Sequence, residues 1–134
     1  MDTGKVIQFE VNKPSILTKK KRKRQIKVSR KLEHKLADDV GGRRQPGSGN
    51  VKGSGGDVRV FGEWRLEHKH TRSVQGYRLE VQDLDAVIKH GNMAGEWPAM
   101  VIDFTKLARE FVVMPYEVFL EILEMLRAKA KDDS

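Results

Sequence analysis

Asp57 and the triplet Glu67-His68-Lys69 are the residues of this chain whose types and spacing could do chemistry together. Two carboxylates drawn close repel each other unless a cation sits between them. Carboxylate oxygens suit hard divalent ions, so the pair predicts a site for Mg2+ or Mn2+. A lysine two residues after Glu67 on an extended strand shares its face. There its ammonium can hold a nucleophilic water or neutralise charge growing on a phosphate. Together these groups amount to a site for metal-assisted phosphodiester hydrolysis. The pattern alone is a weak signal in a chain that is 34% charged, where a surface ion pair is the competing explanation.

Charge is spread unevenly. The 134 residues carry a formal +7, but eleven of the 26 Lys and Arg fall in the first 31 positions against only Asp2 and Glu10, a local balance of +9. The remainder is close to neutral. The block Lys19-Lys20-Lys21-Arg22-Lys23-Arg24 repels itself and is seldom packed, which marks an arm that meets a polyanion. DNA or RNA is the first partner this predicts. An anionic membrane surface is the second, and a solvated solubility tail is the plain alternative. Nuclear import is a further rival that nothing else in the sequence favours.

A hydrophobic fraction of 38% at this length suits one small domain with a single core. No apolar run reaches the roughly 18 residues of a membrane span, and the N-terminus lacks the apolar stretch of a signal peptide. The expectation is therefore a cytoplasmic protein with no membrane partner. Cysteine is absent, which excludes disulfides, thiolate metal sites and a cysteine nucleophile.

The elements that must position the acids follow from periodicity. Ile7, Phe9 and Val11 alternate with Gln8 and Glu10 as in a short strand, closed by Pro14. Ser29 is a good N-cap, and Leu32, Leu36 and Val40 with Ala37 predict a helix over 29–40 ended by Gly41-Gly42. Glu33 falls on the edge of that apolar stripe, one turn before Ala37, and can point toward a sheet. Residues 45–56 form a glycine-rich loop too polar to bury. The segments 57–61 and 63–71 flank Gly62 as a hairpin able to return Glu67 to the neighbourhood of Asp57. A shorter third strand is expected over 73–80. Residues 81–90 read as a helix through Leu84, Val87 and Ile88 with a stop at Gly91, and 98–104 as a buried strand. A further strand spans 110–114, and Pro115 opens a last helix with Phe119, Ile122, Leu123 and Leu126 on one face. This order predicts an α/β fold with a mixed central sheet flanked by helices.

Glu33, Arg44, Gly47-Ser48-Gly49, Gly56-Asp57 and Glu67-x-Lys69, in that order and spacing, resemble the Holliday junction resolvases of archaea and their viruses. These belong to the PD-(D/E)XK, restriction-endonuclease-like nucleases. The resemblance covers roughly residues 29–114. With the basic block read as an arm, it divides the chain into an N-terminal arm over 1–28 and a nuclease domain over 29–134. It also implies that Glu33, Asp57 and Glu67 bind one or two divalent ions and that Lys69 is the catalytic lysine. Arg44 would contact a phosphate near the scissile bond, and Ser48 would belong to a mobile loop closing over a junction. Arg30, Arg43 and Lys52 join the basic block as expected DNA contacts. The family works as a symmetric homodimer cutting two strands of a four-way junction, with no small-molecule cofactor; a phage origin is compatible with the small size. Three features depart from the family pattern: Gly56 replaces a common proline, His68 an apolar residue, and the stretch from Ser48 to Asp57 is longer than in compact archaeal members.

Other motifs carry less. His68 and His70 share the strand face opposite Glu67 and could bind zinc, but no third ligand stands at useful spacing, so a partly exposed polar pair, or one hydrogen-bonded under the C-terminal helix, is the simpler expectation. His34 and His90 read as surface residues, and Trp64 and Trp97 as core or rim aromatics. The glycine-rich loop lacks the Gly-Lys-Ser/Thr ending of a P-loop; a plain flexible linker is its rival reading. The open alternatives are a RecB-like or restriction nuclease of the same fold, and a DNA-binding protein without catalysis.

Overall fold

The computed structural model describes residues 16–45 and 58–133, with side chains from Lys20 onward. Eight elements follow in the order α1 (Ile16–Val40), β1 (Arg43–Arg44), β2 (Val58–Val60), β3 (Trp64–Thr71), α2 (Val81–Ala94), β4 (Trp97–Phe104), β5 (Arg109–Val113) and α3 (Tyr116–Asp132). The strands form one sheet in the order β1-β2-β3-β4-β5. Neighbours are antiparallel except β3 and β4, which run parallel with α2 as the crossover. The fold is thus α/β, a five-stranded mixed sheet flanked by helices, as the order of sequence signals implies.

The first helix departs most from expectation. It begins at Ile16, not at Ser29, so the basic block lies on a helix that continues into the sheet-packed part. Lys and Arg are good helix formers. Like-charge neighbours cost only a few tenths of a kcal/mol per pair, too little to stop a helix already anchored by packing. Ser29 is therefore no cap; its hydroxyl sits 2.9 Å from His70 Nε2. The buried stripe is also displaced: Glu33, Leu36 and Ala37 are buried, whereas Val40 is 38% exposed. Gly41 ends the helix at φ 68°. Gly42 packs so closely that a Cβ there would meet the Arg59 carbonyl oxygen at 2.6 Å. That approach lets Arg43 and Arg44 pair with Arg59 and Val58 as β1, a strand too short to leave a periodic signal.

The expected hairpin forms between the shorter strands β2 and β3, with Val58 opposite Leu66, Val60 opposite Trp64, and Gly62 turning at φ 78°. The third strand expected over 73–80 does not form. The Ser73 hydroxyl accepts from the backbone N–H of Gln75 and of Gly76, a local turn that competes with strand pairing. α2 runs past Gly91 to Gly95, which ends it at φ 68°. Gly91 serves contact instead, since a Cβ there would meet the Glu96 carbonyl oxygen at 2.7 Å.

Leu36, Ala37, Val58, Leu66, Ala99 and Val101 make one core, with Trp64 and Met114 against it. β4 is buried along six consecutive residues, as its apolar run requires. α3 buries only Val118 fully; Ile122 and Leu123 are half-buried, while Phe119 and Leu126, expected to pack, are 46% and 60% exposed. Among the described residues no helix is long and apolar enough to cross a membrane.

Candidate active site on the third strand

Strand β3 sorts its chemistry by pleat. Trp64 and Leu66 turn toward α1 and the core, so His68 and His70 follow them, and Arg65, Glu67, Lys69 and Thr71 face the other way, toward α2. Glu67 and Lys69 are half-buried on that second face. The Lys69 ammonium lies 3.9 Å from the Asp83 carboxylate in the first turn of α2. Tyr77, in the connector before α2, shares this environment. Burial raises its phenol above the ordinary value, Lys69 opposes the rise, and Asp83, Glu67 and Glu80 reinforce it. Three acids and one lysine thus lie within electrostatic reach of the Tyr77 phenol.

Glu33 is on the first face. It is 8% exposed, on the side of α1 that carries Leu36 and Ala37, and its Oε1 accepts from Arg44 Nε at 2.6 Å. Arg44 stands opposite Val58, whose side chain is in the same core cluster. Glu33 does point toward the sheet, and Arg44 is its ion-pair partner. Glu33 and Glu67 lie over opposite faces. Among the described residues no group of three His, Cys, Asp or Glu side chains is arranged to hold a metal ion.

Asp57, Ser48 and Lys52 lie outside the described residues, as do the short strand expected over 5–11 and most of the glycine-rich loop. Val58 pairs with Leu66, so the next residues in sequence beyond that pair are Asp57 and Glu67. Lys20, Lys21, Arg22, Lys23, Arg24, Arg30 and Arg43 are all exposed; of Lys19 only the helical backbone is described.

The histidines are packed under α1, not under the C-terminal helix. His68 Nε2 lies 3.7 Å from Asp103 Oδ2, with both side chains nearly buried, and His70 meets Ser29. His34 is exposed, and the His90 ring bonds the Ala86 carbonyl oxygen at 2.7 Å. Trp64 and Trp97 stack obliquely with centroids 5.3 Å apart, and the Trp97 indole donates to Glu121 at 2.7 Å.

Two features escape a reading by motif. Asp83 precedes the buried Val87 by one helical turn, a spacing that puts it on the sheet-facing side of α2. Glu96 has a fully buried side chain that accepts from Arg59 at 2.7 and 2.9 Å, from the Gly62 backbone at 2.9 Å and from Arg65 at 3.1 Å. Burial would raise its pKa, but these donors outweigh burial and hold it below the usual carboxylate value. A lone Glu beside a Trp gives no sequence signal for such a node. A cleft of about 600 Å3 opens between the end of α2, the start of β4 and α3. It is at the opposite end of β4 from Ile102, the register partner of Lys69. The Glu67–Lys69 face is not that cleft.

No protein-family model, curated protein or solved structure matches this chain.

Proposed function

We propose that the chain is a metal-dependent endonuclease that cuts branched DNA, with four-way junctions as its substrate. The observation that carries this reading is the pairing of Glu67 and Lys69 on one half-buried face of β3, beside Asp83. Asp57 is the residue before Val58 and Glu67 the residue after its partner Leu66, which favours these two acids as the ligands of one Mg2+ or Mn2+. The ion would polarise a phosphate oxygen and lower the pKa of a bound water. Lys69 would steady the attacking water or the charge growing on the phosphate. Glu33, tied to Arg44, is better suited to aiming that guanidinium at a neighbouring phosphate than to sharing the ion. The basic residues of α1, with Arg43, Ser48 and Lys52, supply further phosphate contacts. A strand face, as opposed to an enclosed pocket, suits a substrate as large as duplex DNA.

The family resemblance of the motif order supports a resolvase within this class, acting as a homodimer in the cytoplasm of a prokaryotic or phage-infected cell. Incubating the purified protein and Mg2+ with matched linear, single-stranded, forked and four-way DNAs tests the proposal. Paired nicks in opposing strands of the junction are expected. Faster degradation of linear ends would favour a RecB-like nuclease, and binding without cutting a DNA-binding protein that has lost catalysis.

A further inference from the structure

We infer that residues 16–28 of α1 form a rigid rod that lies in the major groove of duplex DNA, and that its stiff junction with the sheet fixes the distance from that groove to β3. The inference rests on the reading of the protein as a DNA binder but not on the catalytic roles of Glu67 and Lys69. Every side chain from Lys20 to Val28 is exposed; among the described side chains the first to be half-buried is Ser29, bonded to His70. From there on Glu33 with Arg44, and Leu36 and Ala37 in the core, clamp the helix to the sheet. The helical backbone before Ser29 is about 20 Å long at 1.5 Å per residue, or roughly six base pairs of duplex at 3.4 Å each.

The charge pattern selects the occupant. Lys20, Lys21, Arg22 and Lys23 are consecutive, so at about 100° per residue they point to all sides of the helix. A flat anionic membrane can meet only one side. A groove has phosphates along both walls and so meets cations on two opposite flanks of the helix at once. Membrane-surface helices also need a broad apolar face. Ile26 and Val28, the apolar side chains between Lys20 and Val28, are two residues apart and so lie on nearly opposite sides. The helix with its side chains is about 10–12 Å across, and the major groove is about 12 Å wide. The first turn carries no acid to complement the helix dipole, and the cations that follow oppose it; phosphate contacts relieve that opposition.

The test is hydroxyl-radical footprinting of the full-length protein on a four-way junction with Ca2+ in place of Mg2+. Two variants are compared with wild type. Gln25→Pro leaves the charge unchanged but breaks the helix. An insertion of seven alanines between Val28 and Ser29 extends it by two turns, about 10 Å. The wild type is expected to protect one block under the body and another under the rod. Gln25→Pro should lose the second block and weaken binding by about tenfold or more, with thermal unfolding unchanged because the broken segment does not pack on the sheet. The insertion should move the second block about three base pairs outward. A wild-type footprint and affinity in Gln25→Pro would overturn the inference, since a flexible polycation would do as well. So would an insertion that blurs the block without moving it. Binding without cleavage in Mg2+ would refute the nuclease reading and leave the shifted block as support for the rod. Capture by phosphatidylserine vesicles with no DNA binding would overturn both.

Discussion

The Lys69 ammonium and the Asp83 carboxylate, 3.9 Å apart, join the strand that carries the candidate site to the first turn of the crossover helix. Both side chains are about a third exposed, so the pair contributes under about 1 kcal/mol to stability. In the proposed nuclease its role would be to aim Lys69. Asp83→Asn should lower kcat on a junction about tenfold to a hundredfold, as small misplacements of reacting groups do, while leaving DNA affinity and unfolding nearly unchanged. Lys69→Met should abolish cutting. Equal rates for Asp83→Asn and wild type would remove Asp83 from the mechanism.

Metal dependence is the second test. Cleavage should require Mg2+ or Mn2+, and Ca2+ should support binding without turnover because its longer, looser coordination places water poorly. Asp57→Asn and Glu67→Gln should each stop cleavage with DNA binding intact or tighter, since a negative charge near phosphate is removed. Full activity in excess chelator would exclude an ion held by these acids.

Glu96 predicts a stability effect unrelated to chemistry. Glu96→Gln removes the carboxylate charge that Arg59 and the nearly buried Arg65 share, and breaking a buried pair in this way costs about 3 kcal/mol. The midpoint of urea unfolding should fall accordingly. The folded-state pKa of Glu96 lies below the ordinary 4.5. Below that ordinary value the unfolded chain therefore binds the proton first. The stabilisation from Glu96 is complete above pH 4.5 and is lost as pH falls toward the depressed value. Glu96→Gln should flatten this acid limb; an unchanged limb would show that Glu96 does not control it.

Oligomeric state is the fourth. Phe119, Met125 and Leu126, which share one side of α3, are 46–60% exposed, a cluster of large apolar side chains on one helix. A second copy would cover it with the two-fold symmetry that suits a four-way junction. Phe119→Asp with Leu126→Glu should convert a dimer to a monomer in sedimentation equilibrium and uncouple the two nicks. A monomeric wild type would refute the paired-cut reading.

Much of the sheet is legible in the sequence because β3 and β4 carry period-two and continuous apolar signals, and Gly62 marks the hairpin that joins β2 to β3. What is not legible has specific causes. β1 has two arginines and no apolar residue, and exists because Gly42 lets the chain approach β2. Ser29 has the composition of a cap but lies inside a longer helix and is bonded to His70 on the strand beneath it. Gly91 reads as a stop because glycine does so by default, and only the neighbouring strand reveals its use. The pairing of Glu67 with Lys69 follows from alternation along the strand. The separation of Glu33 from Glu67 does not, since it depends on which face of the sheet α1 covers.

Gly91 also constrains how the candidate site could change over time. Asp83 and Gly91 are two turns apart on one helix, and at Gly91 the backbone comes within a hydrogen atom's tolerance of the strand. Any side chain there would lift that end of α2 and tilt the whole helix, changing the angle at which Asp83 meets Lys69. A substitution far from the acids would then read out as an enzymatic defect. Suppressors would be sought not at the ion but among residues that shim the helix, such as Val87 and Pro98, so that mechanical tolerance and catalytic inheritance are linked through one missing methyl group.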